Sequence, residues 1–314
     1  MVTTTDKDHI KKALNERDGF QVWWRLLRPH TLTASFVPVF VGSMYALNVN
    51  DTKFNILVFL AMLIASMLIQ SATNMFNEYY DYVRGLDSEE SVGIGGTIVR
   101  DGIHPKTVLR LALIFYAIAL VLGIYICMVS SWWIAVIGLV CMLFGYLYTG
   151  GPLPISTTPF GELFSGFLMG TVIIGISYYV QTGTINSLVI FVSIPVAILI
   201  GCIMLSNNIR DLDGDEKGGR KTLAILLGRK NAVRFLGILF FIAFYYTVYL
   251  CIIGILPLWS FITLIAVIPA IKVVKGFKGK TKPLEMMPAM VLTGKTNTIY
   301  GFLLGISLLI HYFI

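Results

Sequence analysis

Asn74, Asn77 and Asp81 recur at the same spacing as Asn208, Asp211 and Asp215, a shared pattern Nxx[ND]xxxD offset by 134 positions (208 minus 74). Residues three and four apart lie on one face of a helix, so each trio presents a row of oxygen atoms in one direction. Hard cations such as Mg²⁺ take carboxylate and amide oxygens, usually through one or two carboxylates together with substrate phosphates. Cations stand close to both rows: Arg84 after the first, and Arg210, Lys217, Arg220 and Lys221 within and after the second. Two such rows describe a site for a polyanion bridged by metal, and diphosphate fits that chemistry. Asp87 lies six residues beyond Asp81, off the face of an unbroken helix, but Gly85 can end the helix and fold the chain back. One Asn- and Asp-rich helix end is ordinarily a cap and turn in water. Two that repeat one spacing favour the functional reading.

Both rows follow long apolar runs. Stretches of the length needed to cross about 30 Å of hydrocarbon are read near 31–48, 54–76, 107–129, 132–149, 160–181, 187–207, 232–254, 256–274 and 296–314. A chain that is 56% hydrophobic and 13% charged is too apolar for a soluble protein. The expected fold is therefore all-α: a polytopic membrane bundle of about nine transmembrane helices, a single domain over 1–314 with a cytoplasmic segment at 1–27. The acidic rows follow the second and sixth spans, and an offset of four spans suggests two pseudo-repeated four-helix halves plus one added helix.

Topology follows from the basic residues. With nine spans, all 24 Lys and Arg except Lys53 fall on one side. The positive-inside rule then puts the N-terminus and both acidic rows in the cytoplasm and the C-terminus outside, in a cell membrane. The polar N-terminal stretch carries no cleavable signal pattern. The same asymmetry accounts for the net charge of +7, so no nucleic-acid partner is implied, and the basic face suits a lipid bilayer with anionic headgroups.

Other residues carry weaker signals. Cys127, Cys141, Cys202 and Cys251 sit inside apolar spans without CxxC spacing and read as core packing. Arg28, before the first span, could bind an anionic substrate, although a basic residue there is ordinarily a topology anchor. Glu162 opens the fifth span, where an acid is also simply favourable to the helix. Tyr146 and Tyr148 end the fourth span, where interfacial tyrosines are usual; the alternative is that they hold an aromatic acceptor.

At this point the chain resembles the UbiA superfamily of intramembrane prenyltransferases, through its two Asp-rich segments after the second and sixth of nine helices. The words "RPHTLTASFVPVFVGS" (28–43), "NEYYDYVRGLD" (77–87), "YTGGPLPIS" (148–156) and "NNIRDLDGDEKGGRKTLAILLG" (207–228) are most similar to the branch that prenylates 1,4-dihydroxy-2-naphthoate. The resemblance implies one Mg²⁺ held by Asn77, Asp81 and Asp87 and another by Asn208, Asp211 and Asp215. It further implies a polyprenyl diphosphate bound with help from Asn74, Arg84, Arg28, Lys217, Arg220 and Lys221, and an aromatic acceptor near Tyr148. Its reaction would be ionisation of the allylic C–O bond, attack by the ring, and loss of carbon dioxide to give the quinol form of demethylmenaquinone. The segment "YLYTGGPLPIS" has no Lys or Arg, which disfavours 4-hydroxybenzoate; that acceptor, or a homogentisate-type one, is the alternative. A transporter, the distant alternative, would place its polar groups near the bilayer midplane, whereas nearly all the acids here lie toward one face.

Overall fold

The computed structural model describes residues 19–48, 52–86 and 96–314, and every regular element among them is helical. A short helix α1 (Phe20–Leu26) and a turn lead into α2 (Thr33–Ala46). Helix α3 (Ile56–Val83) is followed by the short α4 (Thr97–Asp101), α5 (Pro105–Val129) and α6 (Trp133–Leu147). Helix α7 (Gly161–Thr182) widens to π geometry over Gly166–Val172. The second half contains α8 (Leu188–Lys217), the short α9 (Leu223–Leu227), α10 (Arg229–Ile252), α11 (Leu258–Phe277, opening as a 3₁₀ helix) and α12 (Pro283–Phe313).

Seven of these, α3, α5, α7, α8, α10, α11 and α12, are long and apolar enough to cross a membrane. The first and fourth expected spans are the shorter apolar helices α2 and α6, so of about nine expected spans seven appear as helices long enough to cross. Helices suit this environment because the bilayer core offers no water to backbone groups, and a helix satisfies its own. The chain is a multi-pass membrane protein. Large apolar side chains such as Val121 and Met128 on α5 and Phe241 and Tyr245 on α10 are exposed, as lipid contact requires.

Lipid is as apolar as leucine, so what draws these helices together is close packing over small residues and polar pairs between helices. A Cβ added to Gly170 would lie 2.5 Å from the Cα of Ala197, and one added to Gly166 would lie 2.6 Å from the Ala197 carbonyl oxygen, so only glycine lets α7 lie this close to α8. Among the polar ties, Tyr300 and Thr247 share a hydrogen bond of 2.7 Å between α12 and α10, and Asn297 donates to Thr33 at 3.0 Å. Asn55 caps α3, accepting from the amides of Leu57 and Val58, while its own backbone is paired with Gln181 at the end of α7.

The acidic rows do not lie in loops. Asn74, Asn77 and Asp81 are in the last turns of α3, and Asn208, Asp211 and Asp215 are in the last turns of α8, both helices running unbroken through their polar ends. Beyond α3 the chain turns at Gly85, whose φ of 68° is the left-handed conformation glycine adopts without cost. Asp87 lies outside the described residues, as does most of the 1–27 segment.

Candidate active site at the polar end of the bundle

The helical period makes Gln70, Asn74, Asn77 and Asp81 one stripe along α3, and all four line a cavity of about 510 Å³. From α8 the same cavity receives Asn207, Asn208, Arg210, Asp211 and Asp215. Arg220, in the loop after α8, reaches back between the rows. Its guanidinium donates to Asp81 Oδ1 at 2.5 Å and to Asp215 Oδ1 at 3.0 Å, so acids from the two halves of the chain converge on one cation. Burial works against the charge of Arg220, but Asp81 and Asp215 outweigh it and hold its pKa above the ordinary arginine value.

Each row is itself braced. Asn77 donates to Asp81 Oδ2 at 2.9 Å and accepts from Arg28 at 2.8 Å. Arg210 grips the neighbouring Asp211 with two nitrogens, at 2.6 and 2.5 Å, and its third touches Met290 Sδ of α12. Asn208 donates to Glu162 Oε1 at 2.8 Å. Asn74 is turned to structure: its amide donates to the Leu27 carbonyl and Thr31 Oγ1, pinning the turn before α2 against α3. That turn contains Arg28, whose φ of 50° makes it the one non-glycine residue in the left-handed region among the described residues. Such a conformation costs on the order of 1–3 kcal/mol and is held only where the surroundings dictate it.

Below this polar mouth the walls turn apolar. Cavity-lining positions run down α3 from Asp81 to Met62, a height of about 28 Å at 1.5 Å per residue. Across from α3 stand α5, α6 and α7, the last contributing Leu168 and Met169 from its π segment. Widened helical turns of this kind recur at functional sites because they re-aim side chains. Together these walls form a polar socket on an apolar shaft, the two together nearly as tall as the hydrocarbon of a bilayer.

Of the residues expected from the sequence, Arg28, Asn74, Asn77, Asp81, Tyr148, Asn208, Asp211, Asp215 and Arg220 line the one cavity. Arg84, Lys217 and Lys221 do not. Arg84 donates to the carbonyls of Thr149 and Gly151 and lies over the Tyr80 ring. Lys217 ends α8 exposed, and Lys221 is exposed beyond Arg220. Residues so close in sequence part company because the chain leaves the helix at Gly218, after which the turn aims Arg220 inward. Reading the sequence missed Gln70, His30 and Asn207 as cavity residues and named Arg210 only as a cation near the rows. Gln70 was within reach of the helical period, being four residues before Asn74; His30 was not, because its placement comes from the turn and from α12.

The oxygens present suit a hard cation. Two carboxylates already converge on a positive group, Asn77 stands beside one of them, and Asn207 Oδ1 is buried with no hydrogen-bond partner. No three acids, histidines or cysteines cluster as a complete metal site among the described residues. Such oxygens are compatible with a hard cation that takes its remaining ligands from elsewhere.

The family model for the UbiA prenyltransferase family matches residues 35–284. The chain belongs to the UbiA prenyltransferase family. It is 55% identical over 309 residues to a 1,4-dihydroxy-2-naphthoate octaprenyltransferase of Bacillus subtilis, covering 98% of this chain and 99% of that one. The Escherichia coli protein of the same description is 27% identical over 92% of this chain and 96% of its own length. Among solved structures, a UbiA homolog from Aeropyrum pernix superposes with a TM-score of 0.67 at 13% identity, covering 90% of this chain and 98% of that one. A UbiA homolog from Archaeoglobus fulgidus bound to GPP and Mg²⁺ does so with a TM-score of 0.63 at 17% identity, covering 90% and 99%. Both structural likenesses concern the fold. This UbiA-family prenyltransferase thus carries its two acidic rows at one end of an all-helical bundle, over an apolar shaft.

Proposed function

We propose that the protein transfers a polyprenyl group from its diphosphate to 1,4-dihydroxy-2-naphthoate, with release of diphosphate and carbon dioxide, at the cytoplasmic face of the cell membrane. The acceptor is supported by the Bacillus subtilis relative, alike over nearly its whole length. The observation that carries the reaction class is the convergence of Asp81 and Asp215 on Arg220 at the mouth of an apolar shaft. A diphosphate needs the first and a polyprenyl tail needs the second. The whole chain then acts as one membrane domain, with its N-terminal segment in the cytoplasm and its C-terminus outside, as the basic residues suggest.

In this reading Asp81 with Asn77, and Asp211 and Asp215 with Asn208, hold Mg²⁺, and Asp87 joins the first set. The Mg²⁺ so held would supply neutralisation of the charge that grows on the departing diphosphate. Arg220 and Arg28 add fixed positive charge at the same place, which favours breaking of the allylic C–O bond with its electron pair leaving on oxygen. The apolar shaft takes the tail and keeps water from the allylic carbon while it is electron-poor. A π pair of the acceptor ring forms the new C–C bond, and the bond to the ring carboxylate breaks, its electrons restoring the aromatic ring as carbon dioxide leaves. In this reading Tyr148, which lines the cavity, faces that ring.

The test is a product assay on purified protein with a polyprenyl diphosphate, Mg²⁺ and either 1,4-dihydroxy-2-naphthoate or 4-hydroxybenzoate. Prenylated naphthoquinol with carbon dioxide release, abolished by a chelator, is the expected result; product from 4-hydroxybenzoate alone overturns the acceptor.

A further inference from the structure

His30 lines the cavity, and its imidazole makes no hydrogen bond to any described residue. The residue is held firmly. Its backbone belongs to the strained turn that begins at Arg28, is pinned to α3 through Asn74 and Thr31, and lies against Gly294 of α12, where a Cβ would come within 2.5 Å of the His30 carbonyl oxygen. The backbone thus fixes where the ring stands, and a polar ring that lines a cavity without a protein partner points to a ligand atom as its partner.

The surroundings define that atom. Burial, then the charges of Arg28 and Arg210, push the pKa of His30 down to about 3, so the ring is neutral at working pH and offers one N–H and one flat apolar face. Its neighbours Arg28 and Arg210 each have a protein partner of their own, Asn77 and Asp211. The net field around the ring is positive. An anion carried on a planar apolar body meets all three features. Arg220, which joins the acidic rows, enters from the loop after α8, whereas His30 enters from the turn before α2, which packs on α3 and α12.

We infer that the His30 imidazole donates a hydrogen bond to the ring carboxylate of the aromatic acceptor, in the positive field of Arg28 and Arg210, and so selects acid acceptors. This rests on the acid acceptor proposed above. His30 is then a substrate-binding residue for the acceptor, standing in the field of Arg28, which also serves the diphosphate.

The experiment is steady-state kinetics of wild type, His30→Phe and His30→Gln, varying each substrate in turn, with 1,4-dihydroxynaphthalene as a competitive probe that lacks the carboxylate. Loss of a hydrogen bond to a charged group predicts a KM for the naphthoate raised about tenfold or more in His30→Phe. The KM for polyprenyl diphosphate should be unchanged, and His30→Gln, which keeps an N–H, should recover most of the loss. The carboxylate-free probe should inhibit wild type and His30→Phe equally. An unchanged naphthoate KM in His30→Phe, a matching rise for polyprenyl diphosphate, or an equal weakening of the carboxylate-free probe would overturn the inference. If wild type turns over 4-hydroxybenzoate and not the naphthoate, the proposed acceptor fails, and the same KM comparison on that acid decides the role of His30.

Discussion

Asp81 on α3 and Asp215 on α8, 134 positions apart (215 minus 81), accept hydrogen bonds from two nitrogens of one guanidinium, that of Arg220. Positions 134 apart in the two acidic rows thus share a single cation. Like charges brought this close repel unless a cation stands between them, so the arrangement is built around positive charge, whether guanidinium or metal.

Replacing either acid should remove that capacity. Asp81→Asn and Asp215→Asn are expected to lower kcat by about 10²–10³-fold, the scale seen when one electrostatic stabiliser of a transition state is lost. Diphosphate release measured on the purified variants would check this. A variant with wild-type turnover would remove the residue from the site.

Arg220 spans two carboxylates with a planar fork, and lysine has one point charge on a flexible stem. Arg220→Lys should therefore keep the net charge yet raise the KM for polyprenyl diphosphate by about tenfold, the equivalent of ~1.4 kcal/mol. Saturation curves for the diphosphate substrate give the answer directly.

Lys217 and Lys221 flank the same loop but are exposed and stand outside the cavity. Alanine at either position is expected to change activity by no more than about twofold, as exposed substitutions do. A large loss at either lysine, in the same assay, would mean that the loop rearranges when substrate binds.

Glu78 sits in the first acidic motif and has another task. It is fully buried and accepts hydrogen bonds from Thr97 Oγ1 and, at 3.0 Å, from the Ile98 amide, capping α4 against α3. Glu78→Ala should destabilise the protein by about 1–3 kcal/mol through unpaired buried donors. Thermal unfolding in detergent would show a lowered midpoint, with Thr97→Val lowering it less.

Gly170 and Gly175 lie on the same helix with different surroundings. A Cβ at Gly170 meets the Cα of Ala197 at 2.5 Å, whereas at Gly175 nothing stands within 4 Å. Gly170→Val should force α7 from α8 and yield little monodisperse protein on size-exclusion chromatography. Gly175→Ala should behave as wild type, and equal behaviour of the two would refute the packing argument.

Local rules made a good part of this molecule legible in advance. Apolar runs of bilayer length imply helices, because only a helix satisfies its own backbone in hydrocarbon. The three- and four-residue spacings put Asn74, Asn77 and Asp81 on one face, and Asn208, Asp211 and Asp215 on another, whatever surrounds them. Even the turn after α3 was announced by Gly85.

What lies between helices was decided by tertiary structure. Arg220, and neither Lys217 nor Lys221, meets the two acids, because a turn at Gly218 aims one side chain inward and leaves its neighbours in solvent. His30 enters the cavity through contacts with α3 and α12 that no local pattern encodes. The shaft runs along α3 beside α5, α6 and α7, yet its apolar lining matches the lipid-facing side of the same helices in composition. Lipid, tail and protein core are equally apolar, so the sequence by itself determines that a residue avoids water, and only the packed bundle decides which of the three it faces.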